Sequence, residues 1–196
     1  MKFMVIGGSH RQNSRSSRIA RHIQKLLRDE DAVRHVDLLD LADSKLAFWD
    51  EGEVQEIWHQ LSERLVAADG FVFVVPEWHG MVPPKMKNLL LYAGNREFAH
   101  KPCLIVSVSS GVNGVYPVVE LKSASAKNNH LVFIPNHVII RKAEQVLEAI
   151  EGNSNADNYL SKRLDYSLNM LKEYSLALKP LRHCAFMSPQ QYPYGM

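Results

Sequence analysis

The chain reads as an open, doubly wound α/β fold, a five-stranded parallel sheet with helices on both faces. Three observations predict it. Apolar runs of strand length alternate with helix-period segments almost from end to end. The clearest run, 71–75, is apolar without alternation, as a central strand covered on both faces should be. Polar loops rich in glycine, serine or histidine directly follow the apolar runs, where such a sheet binds ligands beyond its strand ends.

The elements follow in order. Strand one spans 3–6 and closes on Gly7-Gly8; a helix follows, with Ile19, Ala20, Ile23, Leu26 and Leu27 at helical spacing. Strand two is 33–38, where Val36 and Leu38 alternate with charged neighbours, and 46–50 is a loop. A helix after Gly52 puts Val54, Ile57, Trp58, Leu61, Leu65 and Val66 on one face and ends at Asp69-Gly70. Beyond strand three, Pro83 opens a helix to about Tyr92. Strand four starts at 104–106 and ends in Ser109-Ser110-Gly111; a helix over 117–128 leads to strand five at 131–134. Helical patterns return at 143–150 and 157–178. Parallel strands joined this way need right-handed crossovers. One domain, 1–179, is expected, followed by an aperiodic tail over 180–196.

Composition narrows the function. With 46% hydrophobic and 22% charged residues the chain is an ordinary globular one. A net charge of +2 is too small for a nucleic-acid face. The apolar opening is too short for a signal segment, and no stretch reaches membrane-span length, so a cytoplasmic protein off the membrane is expected. Cys103 and Cys184 form no C-x-x-C pair and no disulfide framework. The 9 histidines are scattered without H-E-x-x-H, so no metal site is expected.

Three loops carry the chemistry. The first, Gly7-Gly8-Ser9-His10-Arg11-Gln12-Asn13-Ser14-Arg15-Ser16, precedes a helix N-terminus. It offers backbone N–H groups, hydroxyls and a positive dipole end, and Arg11 adds a forked permanent charge suited to phosphate. Neither the dinucleotide nor the nucleoside-triphosphate fingerprint is present. The plainer reading is a helix capped by Ser14 or Asn13, but a cap needs one such residue rather than a loop of them. The second loop, Pro76-Glu77-Trp78-His79-Gly80-Met81-Val82-Pro83-Pro84-Lys85-Met86-Lys87-Asn88, offers an aromatic ring, a histidine and close backbone to a flat conjugated ligand; the alternative is a plain turn with Trp78 covering the sheet end. The third, Ser107 to Gly114, has two glycines that permit close approach, a weak signal alone.

Together the loops resemble the NADPH-dependent FMN reductase family, flavodoxin-like proteins that include azoreductases and quinone or chromate reductases. The family's G-S-x-R-x-x-S is matched by Gly8, Ser9, Arg11 and Ser14. Its P-E-Y-[NH] and [LM]-K-N are matched by Pro76-Glu77-Trp78-His79 and Met86-Lys87-Asn88, and its Ser/Gly turn by Ser109, Gly111 and Gly114. The 46–50 loop resembles its L-P-x-[FY]-[DN] segment. By resemblance, Ser9, Arg11, Asn13, Ser14 and Ser16 would hold the FMN phosphate. Pro76, Glu77, Trp78, His79 and Gly80 would border the isoalloxazine, with Ser109, Ser110, Gly111, Asn113 and Gly114 at its other edge. Trp78 departs from the usual tyrosine, and His79 replaces asparagine, as in the azoreductase-like branch. Leu91 stands where an acid is frequent, which bears on the subunit contact.

The implied activity is NAD(P)H-dependent. Hydride passes from nicotinamide to FMN N5 and on to an acceptor, whether flavin, quinone, azo compound or similar, in a ping-pong cycle. No side chain must act as a base, so none is named catalytic; His79 is the candidate proton donor, with a flavin-edge hydrogen bond its preferred role. A homodimer or homotetramer is implied. The competing readings are a flavodoxin-like electron carrier, against which the basic charge speaks, and a non-catalytic flavin-binding module.

Overall fold

The computed structural model describes residues 1–50, 56–151 and 158–184; Val54 and the tail aromatics Tyr192 and Tyr194 lie outside them. The elements are β1 (Lys2–Gly7), α1 (Arg15–Arg28), β2 (His35–Asp40), α2 (Glu56–Ala67), β3 (Gly70–Pro76), α3 (Pro84–Tyr92) and α4 (Asn95–Phe98). They continue as β4 (Pro102–Val108), α5 (Tyr116–Ala124), β5 (Val132–Ile140), α6 (Ala143–Glu151), α7 (Asn158–Leu178) and a 3-10 turn, Lys179–His183. The five strands are parallel in the order β2-β1-β3-β4-β5, the flavodoxin-like order.

Strand alternation divides the core. Phe3, Val5, Val72, Val74, Leu104 and Val106 face one side, under Ile19, Ile23 and Leu27 of α1 and Leu164, Leu168 and Leu171 of α7. Met4, Ile6, Phe71, Phe73 and Ile105 face the other, under Trp58, Leu61 and Leu65 of α2 and Met86 and Leu89 of α3. Every residue of β3 and β4 is buried, which explains their unbroken apolar runs. The buried stripe of α2 is Trp58, Leu61, Ser62 and Leu65, while Ile57, expected inside, is exposed.

Two elements run differently from the sequence expectation. β5 continues past 134 to Ile140. Cys103 pairs with Phe133 but Ile105 pairs with His137, so Ile134, Pro135 and Asn136 bulge opposite Leu104. Pro135 has no N–H to give the ladder, and the bulge absorbs it before pairing resumes. α5 stops at Ala124 rather than 128. The Ser125 hydroxyl donates to Leu121 O at 2.6 Å and the Asn129 amide to Ser125 O at 3.0 Å, so side chains take carbonyls that a further turn would use. Below the sheet, the 3-10 turn is fastened by Arg182, which donates to Asp69 Oδ1 at 2.7 Å.

Because α1, which follows β1, and α3, which follows β3, cover opposite faces, the chain leaves β1 and β3 in opposite directions. The crevice at this switch point is where the fold accepts a ligand.

Candidate active site

The first loop is shaped by its own serines. Ser9 is fully buried and its Oγ accepts from Arg11 N at 3.0 Å. Asn13 takes a left-handed φ of 51°, a conformation asparagine tolerates, and turns the chain into the cap. Ser14 is the N-cap of α1, its Oγ accepting from Ser17 N at 3.1 Å. The N–H groups of Arg15 and Ser16 belong to the first turn and have no acceptor within the helix.

Counting protons gives the serine row a direction. Ser17 Oγ donates to Asp40 Oδ1 at 3.0 Å, which commits its one proton. Ser14 Oγ lies 2.8 Å from Ser17 Oγ and 3.0 Å from Ser16 Oγ. Ser14 must therefore donate to Ser17, and Ser16 to Ser14. Ser16 ends the row, so its proton can turn to an incoming anion at the cost of its own bond to Ser14 only, with Ser14–Ser17–Asp40 left intact.

The second loop is a two-residue hairpin turn. Trp78 N donates to Met81 O at 3.1 Å and Met81 N to Trp78 O at 2.9 Å, with His79 at φ 49° and Gly80 at φ 72°. Two successive positive φ values are the type I′ requirement, so the loop is a tight turn whose Trp78 and His79 side chains line the cleft. Behind it, Val82 N donates to Glu120 Oε2 at 2.7 Å. Burial opposes ionisation of that carboxyl, but hydrogen bonds from Lys87 and Val82 outweigh it and hold Glu120 below the usual carboxylate range. Asn88, buried, accepts from Trp49 N and donates to Ala47 O, each at 2.7 Å, pinning the 46–50 loop to α3.

The third loop is tied to the second through Glu77, whose Oε2 accepts from Gly114 N at 2.8 Å and Tyr116 N at 3.3 Å. Gly114 has φ 108°, and a Cβ there would meet Ile139 Cγ2 at 2.6 Å. Ser109 Oγ accepts from Gly111 N at 3.2 Å, Gly111 O accepts from Lys142 N at 2.9 Å, and Asn113 O from Arg141 Nε at 3.0 Å.

These loops enclose a cleft of about 310 Å³, at the lower end for small-molecule sites. Of the residues predicted from sequence, Ser9, Arg11, Ser14, Ser16, Pro76, Glu77, Trp78, His79 and Ser110 line it. Asn13, Gly80, Ser109, Gly111, Asn113 and Gly114 stand behind the lining and frame the loops. Sequence reasoning gave no role to His10, whose ring centroid is 4.1 Å from that of Trp78, or to Asp40. It also passed over Tyr116, whose ring lies beside Gly80. Arg15 and Arg18, on the solvent side of α1, pair with Glu144 of α6. A larger groove of about 1060 Å³ runs between α3 and α5 past Leu90, Leu91 and Leu121. Its walls are mainly helix side chains rather than strand-end loops, so the topology does not mark it as the ligand site.

The donors fit a flavin phosphate. A cation without an ion pair among the described residues, a capped helix N-terminus and the terminal hydroxyl of the serine row line the cleft, and an aromatic turn borders it.

Comparison with known proteins agrees. Residues 1–145 match the family described as NADPH-dependent FMN reductase. An NADPH azoreductase from Bacillus sp. (strain OY1-2) is 31% identical over 143 residues, 71% of this chain and 76% of that protein. An FMN-dependent NADPH-azoreductase from Staphylococcus aureus (strain USA300) is 27% identical over 129 residues, 62% of this chain and 68% of that one. Among solved structures, apo NADH:FMN oxidoreductase (EMOB) gives a TM-score of 0.67 at 13% identity, covering 90% of this chain and 89% of that one. FerB, the NAD(P)H:(acceptor) oxidoreductase from Paracoccus denitrificans, gives 0.62 at 19%, covering 88% and 98%. These two likenesses show the fold. The chain belongs to the NADPH-dependent FMN reductase family and is an FMN-dependent, NAD(P)H-dependent oxidoreductase.

Proposed function

We propose that this oxidoreductase holds FMN by its phosphate at Arg11, Ser16 and the N-terminus of α1, with the 76–80 and 109–114 loops bordering the isoalloxazine. The observation that carries the reading is the meeting of these anion donors and the Trp78 turn across the β1/β3 crevice. Bound FMN supplies two-electron chemistry, and the chain supplies position and charge. Ser9, Glu77, Ser109 and Asp40 hold the loops through hydrogen bonds within the protein, which leaves the outer donors for the ligand. His79, exposed at the turn, offers a ring nitrogen to the flavin edge. The open cleft serves nicotinamide and acceptor in turn, and the names of the relatives make azo compounds the acceptor class to try first.

The test is Arg11→Ala. Loss of a charge-assisted hydrogen bond of about 1.5–3 kcal/mol should weaken FMN about 10- to 150-fold. Unchanged FMN affinity would remove the phosphate assignment. Residues 1–179 form the flavin-binding unit in this reading, with 180–196 appended.

The same reading makes the protein a cytoplasmic homo-oligomer, dimer or tetramer. Leu91 and Val119, 60% and 57% exposed on α3 and α5, support the contact between these helices. Leu91→Glu should then lower the mass seen in light scattering to that of one chain; a wild-type particle of one chain would overturn it. Among the described residues no helix is long and apolar enough to cross a membrane.

A further inference from the structure

We infer that Trp78 is a positioning residue for phosphate recognition, acting through Arg11 rather than by contact with the phosphate. The inference rests on the reading of Arg11 as the phosphate ligand and goes beyond it.

The Arg11 guanidinium carbon lies over the Trp78 ring, 4.2 Å from its centroid. An exposed arginine has about 2 kcal/mol of rotamer entropy, which a ligand must overcome if the side chain is unplaced beforehand. An ion pair would place it but would consume the N–H groups the phosphate needs. No ion pair engages the Arg11 guanidinium among the described residues, whereas Arg15 and Arg18 further along both pair with Glu144. Stacking on an aromatic face fixes the plane of the guanidinium while its five donors stay at the edges, available to a ligand.

The ring itself is held. Trp78 is half-buried, closes its turn through two backbone hydrogen bonds, and takes an edge contact from His10 at 4.1 Å. The first and second loops thus meet through one stacked pair. Trp78 belongs to the turn after β3 and Arg11 to the loop after β1, so pairing of the two strands builds the clamp.

The experiment compares FMN with riboflavin, which lacks the phosphate. If Trp78 acts through Arg11, Trp78→Leu should lower the preference for FMN over riboflavin about 3- to 30-fold, the worth of a partly to fully desolvated cation–π contact. Trp78→Phe should keep most of the preference. Arg11→Ala should lower it at least as far, and adding Trp78→Leu to Arg11→Ala should lower it no further. Trp78→Met repeats the comparison if Trp78→Leu does not fold. Equal weakening of FMN and riboflavin by Trp78→Leu, with Arg11→Ala still selective, would make Trp78 a flavin contact only and overturn the inference. An Arg11→Ala variant that keeps the full preference would instead overturn the phosphate assignment beneath it.

Discussion

Glu77 offers the sharpest test of how the site is built. By resemblance it borders the flavin, yet in the structure one carboxylate oxygen accepts from Gly114 N at 2.8 Å and Tyr116 N at 3.3 Å. Bonds to a charged acceptor are worth about 1.5–3 kcal/mol each, and the longer one adds little. Partial exposure of Glu77 puts the pair in the lower half of that range, so Glu77→Ala should destabilise the flavin-free protein by about 2 kcal/mol. Glu77→Gln keeps an acceptor without the charge and should cost about 1 kcal/mol. The assay is urea unfolding of apoprotein, reading the shift in midpoint at constant m-value. FMN affinity should fall in the same order, because the third loop loses its tie to the second. Wild-type apo stability in Glu77→Ala, with weakened FMN, would show that Glu77 acts on the ligand and would refute the tether.

Three further outcomes follow from the geometry. Gly114→Ala places a Cβ 2.6 Å from Ile139 Cγ2 at φ 108°, so strain and overpacking should cost about 3 kcal/mol, while Gly111→Ala, with nothing within 4 Å, should be neutral; unfolding midpoints compare them. Asn88→Ala removes the acceptor of Trp49 N and a donor to Ala47 O, costs about 1–3 kcal/mol, and should make the 46–50 segment the first site of limited proteolysis. Lys101, buried and donating to Leu65 O and Val66 O, has its pKa lowered to about 8 by burial, reinforced by the Arg182 charge. The folded state therefore sheds this proton before the unfolded state does, and stability attributable to Lys101 rises between about pH 8 and 10.5, by about 1 kcal/mol from pH 7 to 9. Lys101→Met should lose that rise; an identical pH profile would refute it.

What was legible in the sequence was whatever local pattern decides. β3 was legible because both of its faces are buried, and the cap of α1 because Ser14 acts on a residue three positions on. What was not legible depends on pairing. Asp40 reaches the serine row only because Gly7 and Asp40 stand in register at the ends of β1 and β2. The available signal was an acid closing the second apolar run, beside a neighbour known only by topology. A proline reads as a strand end, so in sequence the fifth strand stops before Pro135, whereas in the structure a bulge lets pairing resume. Glu77 enters through its match to a family motif, and a motif does not separate a ligand contact from the strut beneath one.

That distinction decides how the site should behave. A loop whose polar groups waited unpaired would have to be ordered by its ligand, at about 0.5–1.5 kcal/mol per immobilised side chain. Here Ser9, Ser14, Glu77, Ser109 and Glu120 already bond to backbone, and Asp40 fixes the sense of the serine row. Phosphate entry then asks for a turn of the Ser16 proton and engagement of the Arg11 fork. Variants of the struts should therefore move apo stability and FMN affinity together, whereas Arg11 and Ser16 variants, which give up one stacking contact and one hydroxyl bond, should move affinity more than stability. A Ser16→Ala variant that unfolds early yet binds FMN normally would place Ser16 among the struts and remove it from the phosphate site.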